Sequence, residues 1–83
     1  MKILKRSGAE VDFDVSKIVN AVSKANQTVD YNKALTAEQI NAIGTYIEQL
    51  CKALNRALSV EEIQDMVETQ IMKAGAFDVA KKY

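Results

Sequence analysis

Apolar positions recur along this chain with two different rhythms. From Met1 to Phe13 the rhythm is that of extended backbone. Lys2-Ile3-Leu4-Lys5 is a short β-prone run, Arg6-Ser7-Gly8-Ala9 carries turn residues, and Glu10-Val11-Asp12-Phe13 alternates polar with apolar. The pattern predicts a hairpin, with Gly8 at a position of positive φ. Alternation puts Val11 and Phe13 on one face and Glu10, Asp12 and Asp14 on the other. A lone two-stranded hairpin is marginal in water, so the apolar face must lie on other elements.

Beyond Asp14 the rhythm becomes helical. Asp14 is a good N-cap for a first helix in which Val15, Ile18, Val19, Val22, Ala25 and Val29 fall at i, i+3, i+4 spacing. Thr36 and Gln39 form a T-x-x-Q capping box ahead of Ile40, Ile43, Ile47, Leu50, Cys51 and Leu54, which mark a second helix. Gly44 inside that helix costs about 1 kcal/mol relative to alanine and points to a close approach of another backbone. Ser59 and Glu62 repeat the capping box before Ile63, Met66, Val67, Ile71 and Ala74, and Gly75 supplies a left-handed stop. Phe77–Tyr83 reads as the opening of a fourth amphipathic helix, Asp30–Leu35 as a polar loop, and Asn55–Leu58 as a place for a short third strand beside the hairpin. The expected fold class is α+β, a small bundle of about four helices capped by a two- to three-stranded sheet, as one domain over residues 1–83.

Composition narrows the function classes. The 83 residues carry 11 Lys+Arg against 11 Asp+Glu, so no global field draws nucleic acid or an anionic membrane, and neither is an expected partner. There is no histidine, which removes an imidazole base, a Ser-His-Asp triad and His-ligated metal. With no credible nucleophile–base pair either, an independent enzyme is not expected, and neither is a protein-held metal. The single Cys51 cannot form an internal disulfide and lies on an apolar helical stripe, which fits a core role and a cytoplasmic location. No apolar run approaches membrane-spanning length, and the first residues lack a secretory signal's apolar stretch. Met66 and Met72 read as core and near-core packing. Glu61 and Glu62 in a first helical turn are explained by the helix dipole.

The stretch Lys5 to Ile18, KRSGAEVDFDVSKI, holds the candidate chemistry. Lys5 and Arg6 stand where the first strand meets the turn, and Lys17 stands in the first turn of the helix that Asp14 caps. A cation there opposes the helix dipole unless an anion arrives, so three cations around a helix start resemble a polyphosphate site. Arginine's fork takes two oxygens and lysine acts as a mobile point charge. Ile3, Val11 and Ile18 are candidates for an apolar floor under a base, and Asp14 for accepting from an exocyclic amine. The chain has neither G-x-x-x-x-G-K-[ST] nor G-x-G-x-x-G. On composition alone Lys5 and Arg6 read first as solvated charges that keep a sheet edge from pairing with another chain, ahead of a nucleotide site.

Those same residues carry a resemblance. Lys5-Arg6-Ser7-Gly8, Val11, Phe13-Asp14 and Lys17-Ile18 resemble the opening of the ATP-cone family, and Ser59-Val60-Glu61-Glu62-Ile63-Gln64-Asp65 with Val67-Glu68, Met72, Gly75 and Ala80-Lys81-Lys82-Tyr83 resemble its closing half. The resemblance implies a regulatory domain, as at the N-terminus of ribonucleotide reductases, with a helical bundle under a three-stranded sheet. It implies ATP or dATP as allosteric effector, brought with Mg²⁺, and control of overall activity through oligomeric state. By analogy Lys5, Arg6 and Lys17 match phosphate contacts, Asp14 lies near the adenine edge, and Val60 lines the pocket beside Ile3, Val11 and Ile18. The implied partners are the catalytic domain of the same polypeptide and other reductase subunits or cones. The wording of the closing half looks most like anaerobic ribonucleoside-triphosphate reductases, and a cone starting at Met1 favours a reductase over the repressor of reductase genes, where a zinc module precedes it. Ser7 stands where the family often has aspartate, and Val11 where some members have an acid. The rival reading is a degenerate cone that serves as a nucleotide-independent interaction module.

Overall fold

The hairpin forms at the start of the chain. In the structure, a computed structural model describing residues 1–83, β1 (Lys2–Leu4) and β2 (Glu10–Asp12) pair antiparallel with Ile3 opposite Val11. Pairing runs one bond past each end, Lys5 N–H donating to Ala9 O and Phe13 N–H to Met1 O, both at 2.9 Å. Arg6, Ser7 and Gly8 make the three-residue loop between, with Gly8 N–H returning to Lys5 O at 2.9 Å and Gly8 at φ +90°. That backbone angle is open to glycine because it has no Cβ to clash.

Four helices follow. Asp14 caps α1 (Val15–Asn26), its Oδ1 accepting from Ser16 N–H at 3.0 Å. A 3₁₀ turn at Tyr31–Lys33 leads to α2 (Ala37–Leu54), where the Thr36–Gln39 capping box is complete. Asn55 ends α2 in the left-handed conformation, φ 52°, and turns the chain into β3 (Leu58–Ser59). This two-residue strand lies parallel to β1, with Ile3 beside Leu58, and gives the sheet order β2-β1-β3. The Ser59–Glu62 capping box opens α3 (Val60–Lys73), and Gly75 (φ +80°) separates it from α4 (Phe77–Lys82). The helices close a ring, α1 on α2, α2 on α3, α3 on α4 and α4 back on α1, with β3 joining the sheet to α3.

A single core of 16 residues fills the ring, from Ile3 in the sheet through Val22, Ile47, Val67 and Ile71 to Val79, and it contains no polar side chain. Cys51 is 1% exposed within it, as its place on the apolar stripe predicts. Burial of these aliphatic side chains at roughly 25 cal/mol per Å² is what offsets the entropy of ordering so short a chain. The α+β architecture expected from the periodicity is therefore the one that forms.

Five local expectations are corrected. Val29 lies beyond α1 in the following turn, although it still packs on the core. Leu54 is 43% exposed because it sits in the last turn of α2, where the chain leaves at Asn55. Met72 is 47% exposed since it lies off the buried stripe of α3, which runs through Ile63, Val67 and Ile71, and Ala74 is exposed because it caps the helix just past its last residue, Lys73. Gly44 meets no foreign backbone: a Cβ built there comes within 3.0 Å of Val19 Cγ2 and 3.1 Å of Val15 Cγ2. The close neighbours are α1 side chains, so the glycine sets how near α1 lies to α2.

Candidate functional site

The hairpin, the start of α1, the start of α3 and the end of the chain surround one cleft of about 260 Å³. Its floor is apolar: Ile3 and Val11 from the paired strands, Phe13 after them, Ile18 and Ala21 from α1, and Val60 and Ile63 from α3. Strand alternation explains Ile3, Val11 and Phe13, because Ile3 stands directly opposite Val11 in the ladder and Phe13 falls two residues on. Helical spacing explains the rest, since Lys17, Ile18 and Ala21 share one face of α1, and Val60, Ile63 and Gln64 one face of α3. The polar rim consists of Lys5, Asp12, Asp14, Lys17, Gln64 and Tyr83.

Seven of the eight expected site residues therefore line this one cleft: Ile3, Lys5, Val11, Asp14, Lys17, Ile18 and Val60. Arg6 does not. Its side chain is 88% exposed, and Nε and Nη2 donate to Glu61 Oε1 at 3.2 and 3.1 Å. The cause is tertiary: the capping box begins α3 beside the hairpin loop and brings a first-turn carboxylate within reach of the guanidinium.

Electrostatics divide the rim. Both acids have partners of their own. Asp12 accepts from Lys2 Nζ at 2.6 Å, and that bond holds its carboxyl below the usual range. Asp14 Oδ1 accepts from Ser16 Oγ at 2.7 Å as well as from Ser16 N–H, and this capping likewise holds its carboxyl low. The cap therefore occupies one oxygen of Asp14 and the first-turn amide that a phosphate would otherwise approach, so the charge offered at this end of α1 is that of Lys17 rather than of bare amides. Neither Lys5 nor Lys17 forms an ion pair. Two free ammonium groups over an apolar floor are suited to an anionic group attached to a flat apolar body.

Sequence reasoning missed several lining residues. Phe13 and Ala21 follow from the same strand and helix spacings that gave Val11 and Ile18, and Ile63 and Gln64 lie one helical turn on from Val60, which the family resemblance supplied. Tyr83 carries no local signal: it arrives through α4, its N–H donating to Val79 O at 2.9 Å, and half-burial pushes its hydroxyl pKa up, with Glu68 adding to the effect. A larger groove of about 480 Å³ lies along Met1, Lys2, Glu10, Lys52 and Arg56, but most of its lining residues are polar and two of its cations are already paired, Lys2 with Asp12 and Arg56 with Glu62. No group of three metal-ligating side chains occurs, and no helix is long and apolar enough to cross a membrane.

Comparison with known proteins agrees with this arrangement. The family model of the ATP cone domain matches residues 1–83. The chain is 36% identical over 91 residues to the ribonucleoside-diphosphate reductase subunit alpha of Chlamydia trachomatis serovar D, covering 100% of this chain and 9% of that protein. It is 35% identical over 83 residues to the vitamin B12-dependent ribonucleoside-diphosphate reductase of Mycobacterium tuberculosis strain H37Rv, covering 99% of this chain and 11% of that protein. It is 26% identical over 82 residues to the anaerobic ribonucleoside-triphosphate reductase of Haemophilus influenzae, covering 98% of this chain and 11% of that protein. The chain thus spans about a tenth of the length of the curated relatives it matches. A family match over the whole length, on a fold of this architecture, makes the chain a member of the ATP-cone family.

Proposed function

We propose that this chain is an allosteric adenine-nucleotide sensor, an N-terminal regulatory domain of a ribonucleotide reductase that takes ATP or dATP in the cleft between hairpin, α1 and α3. The observation that carries the reading is the convergence of two unpaired lysines, Lys5 and Lys17, with the apolar floor of Ile3, Val11, Ile18 and Val60. At about 260 Å³ the cleft is just below the usual range for ligand pockets, which suits enclosure of base and sugar with the phosphates reaching out past the lysines. The oxygen of Asp14 that is not committed to Ser16 is left to accept from the adenine amino group, and Mg²⁺ arrives on the triphosphate, since the chain has no cluster to hold it.

Control of oligomeric state requires that each nucleotide favour a different association state, because a ligand of equal affinity for both shifts nothing. One ribose hydroxyl distinguishes ATP from dATP, so the difference in affinity is modest. The partners in this reading are the catalytic domain of the same polypeptide and the cones or subunits of neighbouring chains, in the cytoplasm. The wording of the α3 segment points to an anaerobic triphosphate reductase, whereas the 36% and 35% identities favour diphosphate reductases over the 26% of the anaerobic enzyme. The gene sequence past Tyr83 decides between them, a C-terminal glycyl-radical segment marking the anaerobic class.

Calorimetric titration with ATP, dATP and GTP tests the reading. Adenine nucleotides should bind below millimolar concentration and GTP more weakly. Lys5→Ala and Lys17→Ala should each weaken ATP by about 1.5–3 kcal/mol, roughly ten- to more than a hundredfold, the loss of one charge-assisted contact. No heat and no thermal shift with any adenine nucleotide at millimolar concentration sinks the sensing role.

A further inference from the structure

The Arg6–Glu61 pair sits at the edge of the cleft, because each partner directly follows a lining residue, Arg6 after Lys5 and Glu61 after Val60. It is the only ion pair between the hairpin loop and α3, and it ties up the one expected phosphate contact that the cleft does not include. We infer that Glu61 is a selectivity residue that acts through Arg6, holding the guanidinium as an internal counter-ion that only a ligand with a long phosphate chain displaces. This rests on the nucleotide reading of the cleft and adds to it a residue that weakens triphosphate binding alone, and so narrows its margin over shorter ligands.

The argument is a competition of charges. Lys5 and Lys17 are unpaired and meet the first phosphates at no cost in broken bonds. A phosphate farther along the chain gains Arg6 only by taking it from Glu61. That exchange is cheap for two reasons. Both side chains are well exposed, 88% and 46%, so the pair is of the weak surface kind. Glu61 also keeps a favourable site when Arg6 leaves, in the first turn of α3, where the helix dipole stabilises a carboxylate. A polyphosphate offers several oxygens to the planar fork at once, whereas here Nε and Nη2 share a single carboxylate oxygen. Ligands too short to reach Arg6 leave the pair closed.

Neutralising the carboxylate while keeping its shape isolates the effect. In the 83-residue chain, Glu61→Gln should bind ATP about three- to fivefold more tightly than wild type, the size of a weak surface pair. AMP and adenosine should bind both proteins equally. In an Arg6→Ala background the same change should give no gain, or a residual gain well under twofold, because the residue it frees is absent. Inorganic tripolyphosphate, titrated in parallel, reports on the cations without the base and should follow ATP. Wild-type binding of ATP with Glu61→Gln no tighter, or tighter for adenosine as well, overturns the Glu61 role and leaves the nucleotide reading standing. Failure of both proteins to bind ATP and tripolyphosphate overturns the two together.

Discussion

Single side chains in this domain often hold two structural duties, and Glu62 has the most. It accepts from Ser59 N–H at 3.0 Å to close the capping box, and from Arg56 Nη2 at 2.8 Å to hold the chain between α2 and β3. The Arg56 bond first, and the Ser59 backbone bond next, lower its carboxyl from 4.5 to about 2. A carboxyl lowered by folding contributes stability above its unfolded pKa and loses that contribution as pH falls through the folded one. Glu62 should therefore stabilise fully above about pH 4.5 and cease to do so near pH 2. Urea midpoints measured from pH 6 to pH 2 should fall for wild type and fall less steeply for Glu62→Gln, with Asp12 and Asp14, also lowered, supplying the slope both share. Parallel profiles would show that Glu62 has no such role. The S-x-x-E half of this arrangement is legible in sequence because a capping box is local. The Arg56 half is not, since it depends on Asn55 turning left-handed and aiming the guanidinium back at α3.

At the scale of elements, the bundle's geometry turns on the contact between α1 and α2. Gly44 belongs to an apolar stripe that periodicity reads correctly, but periodicity does not say which neighbour needs the space. Val15 and Val19 do, with Cγ2 atoms 3.1 and 3.0 Å from where a Cβ would stand. Gly44→Ala gains about 1 kcal/mol of helix propensity and meets a crowding cost of roughly 1–3 kcal/mol. The cost should win, because valine in a helix has essentially one χ1 rotamer and cannot swing aside. We expect a net loss of about 1 kcal/mol in chemical denaturation. The same substitution in a Val19→Ala background should instead stabilise relative to Val19→Ala alone, since the tighter contact is gone and the propensity gain remains. A loss of equal size in both backgrounds would locate the strain elsewhere. Because Val15 and Val19 flank Lys17 and Ile18, this contact also fixes the height at which α1 presents its part of the cleft.

Over the whole molecule, the cleft is where the two ends of the chain meet. Ile3 and Tyr83 line it together, with α1 and α3 between them, so a ligand there touches the sheet, two helices and the residue that ends α4. Local pattern and the family resemblance together pointed to the seven expected residues that line the cleft, whereas the pairing of Arg6 with Glu61 and the arrival of Tyr83 depend on elements far along the chain and leave no local signal. The same geometry makes ligand binding and global stability one measurement. A chain of this length buries only about 60% of its unfolded surface and has modest stability to begin with, and unfolding of any wall destroys the site. A nucleotide present at 100 times its Kd should add about 2.7 kcal/mol. For a domain of this size each kcal/mol moves the melting temperature by about 4–8 °C, so ATP should raise it by roughly 10–20 °C. The increment should grow with the logarithm of ATP concentration and shrink in parallel with affinity in Lys5→Ala and Lys17→Ala. An increment that stops rising in excess ligand would mean that the nucleotide also binds the unfolded chain, and no increment at all would mean that the folded cleft is not its site.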